Sequence, residues 1–255
     1  MDRRVDLNCD MGEGFGVYRL GFDERIMPHI SSANIACGFH AGDPVCMRRT
    51  VRLAEEAGVA IGAHPGLPDL MGFGRREMMV SPDEVRDCVM YQIGALQAFT
   101  KVKKLQHVKP HGALYNMGVR NEELARAVAE AVREVDPNLI LVGMAGSAWI
   151  KVGCELGLRV ACEGFADRSV NPDGTLVPRK HSGAVIDDVE DVIARVLRIV
   201  TDGKVLAING EEVEMTADTI CLHGDTPGAA DLAQTLRQRL EAAGVSIAPM
   251  GTFCR

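Results

Sequence analysis

Val5-Asp6-Leu7-Asn8-Cys9-Asp10 alternates apolar and polar residues without a break. Successive side chains of a strand point to opposite faces, so Val5, Leu7 and Cys9 form one face and Asp6, Asn8 and Asp10 the other. The pattern recurs outward from this stretch. Asn34, Ala36, Gly38 and His40 share a face of Ser32–Phe39; Gly62 and His64 share one of Val59–His64; Lys109 and His111 share one of His107–His111. Glu163 and Asp167 do so in and just beyond Arg159–Phe165, as do His223 and Asp225 in and just beyond Thr219–His223. Six strands thus end near an Asp, His, Lys or Glu, each followed by a loop containing Gly or Pro. A strand covered on both faces in an open sheet would read as one apolar run. Polar groups converging from strand ends are expected at the C-terminal mouth of a barrel. The reading is therefore a closed or nearly closed α/β barrel of seven or eight parallel strands.

Leu139–Met144 and Val245–Ala248 complete the strands, and amphipathic helices alternate with them, as parallel strands joined by crossovers require. Asp43-Pro44 and Ser81-Pro82-Asp83-Glu84 read as helix starts, the second as a capping box. Val85, Val89, Ile93 and Leu96 then form an apolar stripe. Asn121 caps a helix through Val135, Asp187 with Glu190 one through Val200, and Leu232, Leu236 and Leu240 mark the last. One break in rhythm, Lys204–Met215 around Asn209-Gly210, reads as a small β-hairpin insertion. No linker divides the chain, so residues 1–255 read as a single domain.

With 255 residues, a net charge of −7 and 4% aromatic residues, the chain is a poor nucleic-acid binder. Its eight cysteines include no Cys-x-x-Cys pair and read as buried free thiols in a reducing compartment. The start of the sequence has no apolar signal core, and the longest apolar stretch, Leu139 to Ile150, falls short of a membrane span. A cytoplasmic location is the expectation, with no membrane partner. No GxxxxGK[ST], GxGxxG or GxSxG motif is present. The helix starts after Asp43-Pro44 and Thr226-Pro227 offer N–H groups to an anion.

The mouth residues Asp10, His40, His64, His111 and Asp225 are the ligand types of a Zn²⁺, Mn²⁺ or Fe²⁺ site. They suit metal-free acid–base catalysis equally well, with Asp10 or Glu13 as base. Lys109 is placed to polarise a carbonyl or hold an anion, or to pair internally with Glu163 or Asp167. Arg75-Arg76 after Gly72-Phe73-Gly74, and Arg168 after Asp167, suit a carboxylate or phosphate clamp; a solvated or self-paired arrangement fits them as well. His29, His107 and His181 lack the strand-end context and read as structural or solvated.

These segments closely resemble the LamB/YcsF family, understood as the A component of bacterial 5-oxoprolinase. The resemblance is carried by Asp6-Leu7-Asn8-Cys9-Asp10-Met11-Gly12-Glu13-Gly14-Phe15-Gly16, Ala33–Pro44, Gly62-Ala63-His64-Pro65-Gly66 with Asp69, and Gly72-Phe73-Gly74-Arg75-Arg76. Val108–Asn116, Glu163–Arg168 and Cys221-Leu222-His223-Gly224-Asp225 extend it along the whole chain. It implies a distorted TIM-like β/α barrel similar to glycoside hydrolases and sugar deacetylases. It further implies ATP-dependent hydrolysis of 5-oxo-L-proline to L-glutamate, with Mg²⁺-ATP handled in a complex with subunits B and C. The superfamily's Asp–His–His metal triad could be supplied by Asp10, His40 and His64. The residues themselves, apart from the resemblance, are read with Asp10, Glu13, Lys109, His111 and Asp225 as catalytic and Arg75, Arg76 and Arg168 as binding the anion or cofactor. A homo-oligomer is a further expectation. Two other functions fit the same residues: a metal-dependent amidase or deacetylase acting without ATP, and a non-catalytic subunit that binds the lactam.

Overall fold

The computed structural model describes residues 3–224 and 228–254. Along them run β1 (Arg3–Met11), α1 (Asp23–Ile26), β2 (Ser32–Ala36), α2 (Pro44–Ala57), β3 (Ala60–His64), α3 (Pro82–Phe99), β4 (His107–Val108), α4 (Gly112–Gly118) and α5 (Glu122–Val135). There follow β5 (Ile140–Met144), α6 (Ala148–Glu155), β6 (Arg159–Phe165), α7 (Val189–Asp202), β7 (Lys204–Leu206), β8 (Glu212–Glu214), β9 (Thr219–Leu222), α8 (Ala229–Ala242) and β10 (Val245–Ile247).

Among the described residues the strands run in the order β10-β1-β2-β3-β4-β5-β6-β9, and β9 returns to pair with β1. Seven parallel strands thereby close a barrel, and β10 is an eighth, outside the ring. The length of β1 makes this possible. Its first residues pair with β10 (Arg3↔Val245), and its later ones pair with β9 (Asp6↔Thr219).

The polarity of β1 is the one its sequence sets. Val5, Leu7 and Cys9 lie in the apolar layer under the helices, and Asp6 and Asn8 are fully buried inside the ring. Buried polar groups must find partners, and these find one another across strands. Asn8 Nδ2 donates to Thr219 Oγ1 at 2.6 Å and to Glu163 Oε1 at 3.2 Å, and Asn34 Nδ2 donates to Asn8 Oδ1 at 2.7 Å. His107, which the sequence leaves as structural or solvated, is in this interior and donates from Nε2 to Asn34 Oδ1 at 2.7 Å. Gly62 makes room for it: a Cβ there would lie 2.1 Å from His107 Nε2.

The helices start where local chemistry puts them. Asp43 accepts from the N–H groups of Val45 and Cys46, Ser81 and Glu84 complete the capping box, and Asn121 accepts from Leu124. The α3 stripe of Val85, Val89, Ile93 and Leu96 is buried, worth about 1.5–3 kcal/mol per side chain.

Four boundaries differ from expectation. Asp188, not Asp187, caps α7 and accepts from Asp191 N–H. β2 stops at Ala36, before the turn at Gly38, where φ is +94°. β4 stops at Val108 because Pro110 has no N–H to extend a ladder. Lys109 and His111 still donate their N–H groups to Ala63 and Pro65, at 2.9 and 2.8 Å, so both side chains stay at the mouth. The β7–β8 hairpin is antiparallel as expected, but Ala207 N–H bonds Glu211 O and Gly210 sits at φ +86°. The connection is thus a three-residue loop with a left-handed glycine rather than a two-residue Asn-Gly turn.

Candidate active site

The floor of the mouth is an ion cluster built by three strands. Asp10 comes near the end of β1, Lys109 follows β4 and Glu163 lies within β6. Lys109 Nζ is 2.9 Å from both Asp10 Oδ1 and Glu163 Oε1, 3.2 Å from Asn8 Oδ1 and 3.1 Å from Cys221 Sγ. Burial works against the ammonium charge, but Asp10, Cys221 and Glu163 hold its pKa well above the usual lysine value. Burial likewise opposes the Asp10 carboxylate, and His64 and Lys109 overcome this, so its pKa falls well below the usual carboxylate range. Lys109 is therefore the internal ion-pair partner of Glu163 and Asp10. With its three N–H bonds already shared among acceptors, it has none to spare for a substrate carbonyl.

One wall carries three histidines. His64 Nδ1 lies 2.7 Å from the Lys109 carbonyl and His111 Nε2 lies 2.9 Å from the Phe73 carbonyl. A carbonyl only accepts, so both nitrogens bear hydrogen. In its neutral form His111 then turns its Nδ1 lone pair toward His64 Nε2, 3.0 Å away. Burial, with His40 and His64 nearby, holds the His111 pKa well below the usual histidine value, which favours that neutral form. Asp10 Oδ2 is 3.3 Å from His64 Nε2, and Glu13 Oε1 is 3.7 Å from His111 Nδ1. Glu13, His64 and His111 thus gather atoms able to ligate a metal, and backbone carbonyls fixing the far nitrogens are the usual support of a metal-ligating histidine. The donor set fits a divalent transition metal.

His40 joins this cluster differently. Ligand atoms of Glu13, His40, His64 and His111 all lie within 4.8 Å of one another. The His40 ring is stacked on His111, with centroids 3.6 Å and planes 5° apart, whereas His64 stands at 90° to His111. His40 thus lies face to face with His111, where His64 meets it edge-on. His40 Nε2 lies 3.3 Å from Glu13 Oε1, and its Nδ1 is buried without a partner. Of the expected Asp10–His40–His64 set, His40 and His64 lie in one cluster with Glu13 and His111, and Asp10 faces His64 from the Lys109 side. Gly74, at φ +63°, closes the loop over this stack, where a Cβ would lie 2.6 Å from His40 Cβ.

The facing wall carries a pair that the sequence does not single out. His223 Nδ1 lies 2.7 and 2.9 Å from the two oxygens of Asp167. The register explains it: β6 and β9 pair Phe165 with Cys221, and two residues beyond each of these stand Asp167 and His223. Burial raises the Asp167 pKa, and His223 more than offsets this, leaving it below the usual carboxylate value.

Between the walls lies a cavity of about 650 Å³ lined by Asp10, Glu13, His64, Lys109, His111 and His223 among others. Arg75 and Arg168 line it too, the latter tied to the carbonyls of Ala184 and Val177. Burial lowers the Arg168 pKa to about 10, with Arg179 adding to the effect. Arg76 turns away and pairs with Asp69, whose pKa that guanidinium lowers to about 2. Asp225 and the Thr226-Pro227 helix start lie outside the described residues.

Fold and cavity together define a parallel β/α-barrel protein with an ionisable site in its C-terminal mouth. The chain belongs to the LamB/YcsF family, whose pattern it matches over residues 5–255. It is 57% identical over 254 residues to a Pyrococcus furiosus protein named as the A component of 5-oxoprolinase, covering 99% of this chain and 100% of that one. A Bacillus licheniformis protein of the same name is 52% identical over 251 residues, 98% of this chain and 99% of that one. The crystal structure of a lactam utilization protein from Thermus thermophilus superposes with a TM-score of 0.91 at 50% identity, covering 96% of this chain and 99% of that one. No helix among the described residues is long and apolar enough to cross a membrane.

Proposed function

We propose that this chain is the A component of a 5-oxoprolinase, a hydrolase that opens the cyclic amide of 5-oxo-L-proline with water to give L-glutamate. The reading is carried by the near full-length identity to proteins of that name. The mouth is chemically suited to it, with buried carboxylates and histidines around a cavity ample for a small lactam. A five-membered lactam is a resonance-stabilised amide whose tethered ends favour re-closure, so opening needs a driving reaction. We assign that to ATP, with Mg²⁺, acting through partner subunits B and C to phosphorylate the lactam oxygen. The barrel then receives the activated ring.

In this scheme Asp10, kept ionised by Lys109 and His64, orients the attacking water at the floor. Arg75 and Arg168 take the substrate carboxylate or the phosphate at the cavity wall. Glu13, His64 and His111 would hold a divalent ion, which when bound supplies Lewis acidity; His40 braces Glu13.

The test is glutamate release from 5-oxoproline and ATP, with and without the partner subunits. Turnover that needs both partners and ATP, and that disappears in a folded Asp10→Asn variant, supports the scheme. Near-normal glutamate from that variant would refute the Asp10 assignment, and ring opening by the isolated chain with ATP would refute the role of the partners. The facing nitrogens of His64 and His111 also favour a second reading, a metal-dependent amidase acting without ATP. Metal analysis with chelation, and turnover in the absence of ATP, separate the two.

A further inference from the structure

We infer that His223, held by Asp167, is the group that carries the proton from the attacking water to the ring nitrogen. The inference rests on the lactam-opening reading and adds a residue to it. The imidazoles of the barrel differ in whether a nitrogen is left to react. His64 and His111 each have one nitrogen on a backbone carbonyl and the other facing its neighbour. His40 is stacked and fully buried, with Nε2 on Glu13. His107 spends both nitrogens, on Asn34 and Gln106. His223 differs. Its Nδ1 is fixed by a carboxylate, its Nε2 has no hydrogen-bond partner among the described residues, and the ring lines the cavity. A ring nitrogen of His223, a carboxylate oxygen of Asp10 and Cys221 Sγ lie within 4.8 Å of one another, so the ring reaches the floor where water would be held.

A carboxylate on Nδ1 fixes the tautomer, aims the ring, and stabilises the imidazolium that forms when Nε2 accepts a proton. The step balances without any other reagent. The water oxygen bonds to the lactam carbon while its proton passes to Nε2. The carbon–nitrogen bond breaks, its electron pair stays on nitrogen, and Nε2 returns the proton to that nitrogen. If the lactam oxygen carries phosphate, the opened product is an acyl phosphate, which a second water converts to glutamate and phosphate.

The experiment uses the assembled complex with 5-oxoproline and ATP. His223→Gln keeps an N–H for Asp167 but cannot shuttle a proton. It is expected to lower kcat by about 10²–10³-fold with little change in KM. Asp167→Asn lowers kcat in the same direction. His223→Ala should regain turnover when imidazole is added, which a residue that merely tied β6 to β9 would not do; should it fail to assemble, the Gln variant alone decides. Wild-type kcat in His223→Gln, or loss in His223→Ala that imidazole does not restore, overturns the proposal. Wild-type complex that releases no glutamate from 5-oxoproline overturns the underlying reading instead, and this inference with it.

Discussion

Asp6 and Asp10 stand on the same face of the same strand, one turned to the base of the barrel and the other to its mouth, and their environments drive them in opposite directions. Asp6 is fully buried among neutral donors: Ser31 and Thr219 hydroxyls at 2.7 and 2.6 Å, and Ser32 at 2.6 Å. Burial outweighs those bonds and pushes its pKa up to about 6. Asp10 is nearly as enclosed but meets Lys109 and His64, and its pKa goes well below the usual value. Hydroxyls can satisfy a buried carboxylate, but only a cation makes it a firm anion. The barrel thus keeps a structural acid at the bottom and a permanent negative charge at the top.

The largest test of this contrast is to remove the cation. Lys109→Met leaves Asp10 and Glu163 without their shared partner and should cost about 3–5 kcal/mol in denaturant unfolding. Adding Glu163→Gln should recover part of that loss; an unchanged midpoint in the single variant would show that His64 alone sustains Asp10. Next is pH. A carboxyl whose folded pKa is raised favours the folded state fully only below its unfolded value. The Asp6 contribution should therefore fall by about 3 kcal/mol as pH rises from about 4 to about 6, and Asp6→Asn should flatten that slope. Asp10 works the other way: its contribution is present above the ordinary aspartate pKa and is lost as pH falls through its lowered one. Smaller still is Ser32→Ala, which removes one hydroxyl from Asp6. It should cost about 2 kcal/mol and move the Asp6 titration, followed by carbon NMR, to higher pH.

Much of this is legible in the sequence. Alternation along β1 places Asp6, Asn8 and Asp10 inside the barrel, and glycine- or proline-flanked strand ends bring Lys109, His64, His111 and His223 to one rim. What alternation does not supply is partnership. Asp167 and His223 meet only because β6 lies beside β9, which is a consequence of ring closure. His107 has the same parity as Lys109 and His111, so the signal was there; its place at the strand start, rather than the end, hid it. Arg76 was misleading for a local reason, since Asp69 a few residues earlier captures it within the loop. The division of labour between His40 and His111 depends on ring orientation, which no spacing encodes.

The three-way pairing of β1 has a bearing on how the chain assembles. Its neighbour β2 is close in sequence, but β9 and β10 come from the far end, so ring closure must overcome a large loss of chain freedom before any of those contacts is made. Until then β1 has a bare edge, the usual invitation to sticking. The surface laid open beside that edge is Asp6, Asn8 and Asn34, a wettable lining rather than an oily one, so a half-finished barrel would meet water on good terms while it waits for its last strands.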